Sequence, residues 1–245
     1  MRFLKALKQT YMTSLKELRS YSIVTVSGGL IGIVINFFII YFASASQNNT
    51  FFTLGAIMGT NFCTITLFFA GILSLSILFN TAISMGMARK YYIPASFLTM
   101  VTYTAVQIVI IAVFNFVELS IYPLFFKGIT CETSLTVFLG NPLLLAGTIV
   151  GFPIIIFFLG ALYMKFSNKI FGIICTLWMI LCIFAPKIAT DMRENPDSLT
   201  GRLGLFLTDI EHNLNPAGIV ICIALLLGLF LVTAVLILRR QRVTA

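Results

Sequence analysis

The sequence predicts an all-α integral membrane protein, with six transmembrane helices behind an N-terminal amphipathic interfacial helix and both termini cytosolic. Three observations predict it. Hydrophobic residues make up 59% of the 245 and charged residues only 10%, whereas a soluble domain carries about 25% charge to cover its water-facing surface. Six stretches hold the roughly 20 apolar residues that a bilayer-crossing helix needs. The basic residues also fall unequally between those stretches.

The first element, residues 1–20, is MRFLKALKQTYMTSLKELRS. Phe3, Leu7, Tyr11, Leu15 and Leu18 recur at spacings of three and four and so share one helical face. Lys5, Lys8 and Lys16 point away from it, an arrangement suited to the headgroup region of a membrane. The spans then follow at about 22–43, 52–79, 95–118, 136–164, 170–186 and 216–238. The second and fourth exceed a straight crossing, which predicts tilt or extension beyond the bilayer. The fifth is the shortest. Ala43-Ser44-Ala45 resembles a signal-peptidase site, but the polar stretch before it and the apolar run are both long for a signal peptide. Between the last two spans, residues 187–215 form an outer loop. In it Asp197 and Ser198 are placed to cap a short helix, with Leu203, Phe206, Leu207, Ile210 and Leu214 at helical spacing. No composition break divides the chain, which reads as one transmembrane domain over 1–245.

Lysine and arginine collect on the cytosolic side of membrane proteins. Six crossings with both termini inside put twelve of the 16 basic residues there, including Arg89, Lys90, Lys165, Lys169, Arg239 and Arg240. Lys127, Lys187, Arg193 and Arg202 remain outside. Of the eight acids, only Glu17 falls inside. The net charge of +8 is scattered between apolar spans rather than gathered on one face, which argues against a nucleic-acid partner.

Catalytic chemistry has little to draw on. His212, in the outer loop, is the sole histidine. No HExxH and no GxxxxGK[ST] occurs, so neither a zinc-protease site nor a P-loop is predicted. Four of the five cysteines lie in apolar spans and Cys131 in a loop, without the paired spacing of a disulfide or zinc framework. The expectation is a chain that is not an enzyme and binds no cofactor or metal.

Polar residues inside the spans are the more informative feature. At 100° per residue, Thr104, Gln107, Ile111, Asn115 and Glu118 occupy an arc of about 80° on the third span. Thr25, Gly29, Gly32 and Asn36 fall within about 60° on the first. Thr60, Asn61 and Thr64 lie toward the outer end of the second. Polar groups facing lipid are costly, so these faces should meet other helices or a wet pathway, with Glu118 near the outer boundary and within reach of water. Helix packing alone is the competing explanation, because small and hydroxyl residues bring helices together. Gly28–Gly32 and Gly147–Gly151 have the GxxxG spacing, and Pro153 should kink the fourth span.

The segment SMGMARKYY, residues 84–92, joins the second and third spans and holds the only charges between Arg19 and Glu118. Met85, Met87, Tyr91 and Tyr92 are the residue types favoured at interface centres. Arg89 is suited to bidentate pairing with a carboxylate, beside Lys90. Gly86 suits a bend and Pro94 the first turn of the next span. A topogenic Arg-Lys pair with interfacial tyrosines is the plainer account. NTAISMGMARKYYIPASF (80–97) resembles the loop after the second span in six-span permeases of the ABC-2 class of ABC exporters, where G-x-[ST]-R-K-x-[FY] recurs, particularly in small Gram-positive bacterial exporters. LGALYMKFSNKIFG (159–172) is similar to the end of their fourth span. Ala88 departs from the hydroxyl residue more usual there, and Ser167-Asn168 from glycine-lysine.

The resemblance implies a permease subunit in the plasma membrane, paired with a second permease subunit as a homo- or heterodimer. It also implies a cytosolic ABC ATPase subunit that supplies ATP and magnesium, and an exported peptide or antibiotic. Met85, Gly86, Met87, Arg89, Lys90, Tyr91 and Tyr92 would form its coupling loop, docked on the ATPase. The rival is a stand-alone multi-span membrane protein, a secondary carrier or a scaffold.

Overall fold

The computed structural model describes residues 2–43, 50–84, 86–126, 130–131, 134–166, 168–195, 197–213 and 216–241. In chain order these form α1 (Arg2–Ala43), β1 (Thr50–Phe51), α2 (Leu54–Ile65), a π turn (Thr66–Ala70), α3 (Gly71–Ser84), α4 (Arg89–Phe125), β2 (Thr130–Cys131), α5 (Ser134–Gly140), α6 (Pro142–Phe166), α7 (Asn168–Glu194), α8 (Leu199–Asn213) and α9 (Pro216–Arg240). Among the described residues the all-helical expectation holds apart from one short parallel pairing, Thr50 with Thr130 and Phe51 with Cys131.

Among the described residues, five helical runs are long and apolar enough to cross a membrane: 17–42, 54–84, 89–125, 142–166 and 218–240. The expected fifth span, 170–186, is helical but is not among these five. It lies in α7, a helix of 27 residues, in which Phe171–Ile180 is an apolar run among the residues whose side chains are described. The helix then continues through Lys187, Asp191 and Glu194, so the polar outer loop expected from 187 begins as helix.

Residues 2–20 do not form a separate interfacial helix. They continue without a break into the first span, giving α1 42 residues. No glycine or proline interrupts the chain before Gly28, and side-chain bonds tie the join to neighbouring helices. The Tyr103 hydroxyl donates to the Ser14 carbonyl (2.5 Å), and the Tyr21 and Ser74 hydroxyls lie 3.1 Å apart. The buried face here is polar, with Thr10 and Ser14 inside, while Phe3 is exposed and Leu7 and Tyr11 are half-buried.

The expected fourth span at 136–164 is two helices. Asn141 Oδ1 accepts from the backbone N–H of Leu143 (3.0 Å) and Leu144 (3.2 Å), and Pro142 occupies the first helical position. An asparagine N-cap followed by proline starts a helix, because proline lacks an N–H that would be orphaned there anyway. Pro153 stays buried within α6. In the second span a π turn over Thr66–Ala70 joins α2 to α3. It buries the consecutive side chains Leu67 and Phe68, and Phe68 stacks on Trp178 of α7 at 4.6 Å between ring centroids.

The core lies between α1, α3, α4, α6 and α9, around Ile72, Leu75, Phe79, Tyr103, Phe157 and Leu238. α8 packs chiefly on α7, where Gly204 approaches Met192 and Ile188. Ser198 caps it as expected, its Oγ accepting from the Gly201 N–H at 2.9 Å. The side chains of Asp209 and His212, and residues 44–45 of the cleavage-like motif, lie outside the described residues.

Candidate functional site

The turn between α3 and α4 is built by one glycine. Gly86 has φ +80°, a left-handed conformation that side chains with a Cβ disfavour. Its N–H donates to the Ile83 carbonyl (2.9 Å), and the Met87 N–H donates to the Ala82 carbonyl (3.0 Å). This pair of bonds closes the C-terminus of α3 as a Schellman motif. A Cβ on Gly86 would meet nothing within 4 Å, so the backbone angle is what requires glycine.

α4 then starts at Arg89, six residues before the expected start at 95. Pro94 therefore falls in the second turn rather than the first. Ala88 is the N-cap and makes no side-chain cap, so the hydroxyl that the motif more usually carries is missing at a position where it would accept from the helix.

The expected coupling-loop residues separate into two groups. Gly86 and Lys90 are exposed, and Arg89 and Tyr91 half-exposed, with the Lys90 ammonium 5.2 Å from the Tyr91 ring centroid. Tyr92 is inside: 1% exposed, edge-on to Phe79 at 5.6 Å. Met87 packs half-buried against the core. Met85 lies outside the described residues, as does Ser167 of the second motif.

Arg89 also has an internal task, since its Nη1 donates to the Arg239 carbonyl at 2.9 Å. That bond satisfies a carbonyl at the C-terminus of α9, where a cation also complements the helix dipole. Gln241 Nε2 similarly donates to the Met164 carbonyl (2.9 Å). Arg89, Lys90, Lys165, Arg239 and Arg240 thus share one end of the bundle, its basic end.

The polar faces of α1 and α4 meet along their length. Thr104, Gln107, Ile111, Asn115 and Glu118 are all buried, as are Thr25, Gly29, Gly32 and Asn36. Gln107 Nε2 donates to Ser22 Oγ (3.1 Å). Its Oε1 and Asn115 Oδ1 are buried acceptors without a partner among the described residues.

Glu118 is the focus of the seam and differs most from expectation. Placed by the sequence near water, it is 0% exposed. The Gly55 N–H donates to Oε1 and the Ala56 N–H to Oε2, both at 2.9 Å. The Tyr122 hydroxyl lies 3.0 Å from Oε1 and Asn36 Nδ2 3.5 Å from it. Asn36 Nδ2 also donates to the Phe52 carbonyl (2.6 Å). Gly55 and Ala56 are in the first turn of α2, whose own N-cap residue, Thr53, supplies no side-chain cap. A carboxylate from α4 therefore caps α2 from another helix, where both free N–H groups and the dipole favour negative charge.

Only small residues permit this approach. A Cβ on Gly32 would fall 2.7 Å from Gly55 Cα and the Leu54 carbonyl, and one on Gly55 would fall 3.0 Å from Glu118 Cδ. Gly28, the other member of that GxxxG pair, meets the Phe62 ring instead. The second pair is not a close crossing: Gly147 has nothing within 4 Å and Gly151 meets only Leu227.

A cavity of about 110 Å³ adjoins the seam, lined by Thr60, Cys63 and Thr64 of α2, Thr104 of α4, Phe138 of α5 and Thr148 of α6 among others. Of the expected pathway residues, Thr64 and Thr104 line it, while Asn36, Gln107, Asn115 and Glu118 are held in the seam. Asn61 is exposed and belongs to neither. Sequence reasoning missed Glu17, Tyr21, Ser74 and Tyr122. Glu17 has one buried carboxylate oxygen without a partner among the described residues and lies near Ser74 and Tyr21. For Tyr21 the signal was available, since Thr10, Ser14 and Tyr21 continue the stripe of Thr25, Gly29, Gly32 and Asn36 toward the N-terminus. No group of three metal-ligating side chains occurs among the described residues.

No protein-family model matches the chain, and comparison with curated proteins and with solved structures likewise finds no match.

Proposed function

We propose that the chain is the transmembrane permease subunit of an ATP-binding-cassette exporter, working in the plasma membrane with both termini cytosolic. α7 supplies the sixth crossing, and a separate subunit binds and hydrolyses ATP. The observation that carries the reading is the α3–α4 hairpin. Its end is a tight, glycine-closed turn beside two cations, Arg89 and Lys90, in the first turn of α4. Cations there oppose the helix dipole, each at a cost of about 0.3–1 kcal/mol. Arg89 recovers some of that at α9, whereas Lys90 is exposed, with its ammonium over the Tyr91 ring. An acidic groove on a partner would compensate Lys90. The hairpin also connects directly to the core through Tyr92 and Phe79, so force on the turn reaches α3, α4 and α6.

The test is co-purification in mild detergent from native membranes, with mass spectrometry of what accompanies the tagged chain. A stoichiometric P-loop ATPase is expected, and Lys90→Glu should release it. Lys90→Glu is preferred to an Arg89 substitution, because Arg89 also holds α9. A folded chain that brings down no ATPase would overturn the proposal in favour of a stand-alone carrier or scaffold.

A further inference from the structure

α9 is flanked at the basic end by two grooves. One, of about 300 Å³, lies between α4, α6 and α9. Lys90 and Arg239 stand at its mouth, and Pro94, Phe97, Leu231 and Val235 are among the residues along its walls. The other, of about 270 Å³, is lined by Lys165, Leu236, Arg240 and Gln241 among others. Each groove therefore pairs cations from two helices with an apolar wall running away from them. From Lys90 to Phe97, or from Arg239 back to Leu231, the wall extends roughly 10 Å at 1.5 Å per residue.

We infer that the groove between α4, α6 and α9 is a binding site for an anionic phospholipid. The phosphate sits between Lys90 and Arg239, and an acyl chain lies along Phe97, Leu231 and Val235. Charge complementarity selects the headgroup, because no acidic residue is among the described residues that line either groove. The depth of the apolar wall selects a lipid over a soluble anion, which would occupy only the mouth. Basic pockets between membrane-spanning helices suit such headgroups, at about 1 kcal/mol per cation near the surface. This inference rests on the membrane reading but not on the ATPase, since the site is complete in this chain.

The experiment uses the purified full-length chain alone, reconstituted in vesicles of equal phosphatidylcholine and phosphatidylglycerol, re-extracted in mild detergent and examined by native mass spectrometry. Retention of phosphatidylglycerol over phosphatidylcholine is expected. Lys90→Ala/Arg239→Ala should weaken it about 30-fold, or fivefold per cation. Lys90→Arg/Arg239→Lys should keep it, and Arg202→Ala, an exposed cation on α8, should leave it unchanged. An unaltered thermal midpoint would separate lost binding from lost fold. Equal retention of the two lipids, or undiminished phosphatidylglycerol in a folded double-alanine chain, overturns the site. So does complete displacement by inorganic phosphate, which would mean that the cations bind phosphate without the chain.

Discussion

Glu118 concentrates the chemistry of the described chain on one side chain. Its two oxygens hold the first turn of α2 while Tyr122 and Asn36 close around it. Glu118→Ala would leave two buried N–H groups unpaired, at about 1–3 kcal/mol each. Glu118→Gln keeps one acceptor and should lose about half as much, which thermal midpoints in detergent will read. A second readout sits on the loop beyond α4. Partial burial first, and the negative charge of Glu118 second, push the Cys131 thiol above its ordinary pKa. Its thiolate fraction at a given pH is therefore low, and maleimide labelling at neutral pH should be slower than for a free thiol and rise with pH. Glu118→Gln removes the charge, lowers that pKa and should speed the labelling; an unchanged rate would separate Cys131 from Glu118.

Two glycine pairs of identical spacing behave differently at the scale of helices. Gly32 is where α1 and α2 touch backbone to backbone, so Gly32→Ala should cost about 1–3 kcal/mol through overpacking. Gly147→Ala should be neutral or slightly stabilising, because the new methyl meets nothing. Comparing the thermal midpoints of the two variants separates a packing glycine from a merely spaced one. At the start of α4, Ala88 leaves the helix without a side-chain cap. Ala88→Ser should stabilise the chain by about 1 kcal/mol. If the midpoint does not rise, the turn geometry on which the coupling-hairpin reading depends is in question.

For the molecule as a whole, α7 sets the number of crossings. Among the described residues five helices qualify by length and apolarity, and α7 adds the apolar run Phe171–Ile180. If α7 crosses, the N- and C-termini lie on the same side, and an impermeant maleimide should reach cysteines placed at both ends only after the membrane is opened. If α7 does not cross, one terminus labels in sealed cells and the other does not. Anchorage supports crossing, since Trp178 stacks on Phe68 at the π turn and Phe171 meets Phe69 edge-on.

Composition and periodicity by themselves determined that this is a helical chain with several bilayer-length apolar runs. They also determined which faces of the first and third spans are buried. Those properties follow from local spacing: Thr25, Gly29, Gly32 and Asn36 share a face because 3.6 residues make a turn, whatever surrounds them. The Asn141-Pro142 break in the fourth span was equally local, and was hidden only by the apolar residues on both sides. Tertiary structure alone decided what those faces meet. Glu118 and Gly55 are far apart in sequence, so no spacing rule announces that one caps the other. Tyr92 looked like a surface aromatic until α3 placed Phe79 against it, and Arg89 like a free cation until α9 ended beside it. Periodicity reports the direction in which a side chain points, but its partner is set by how the helices pack.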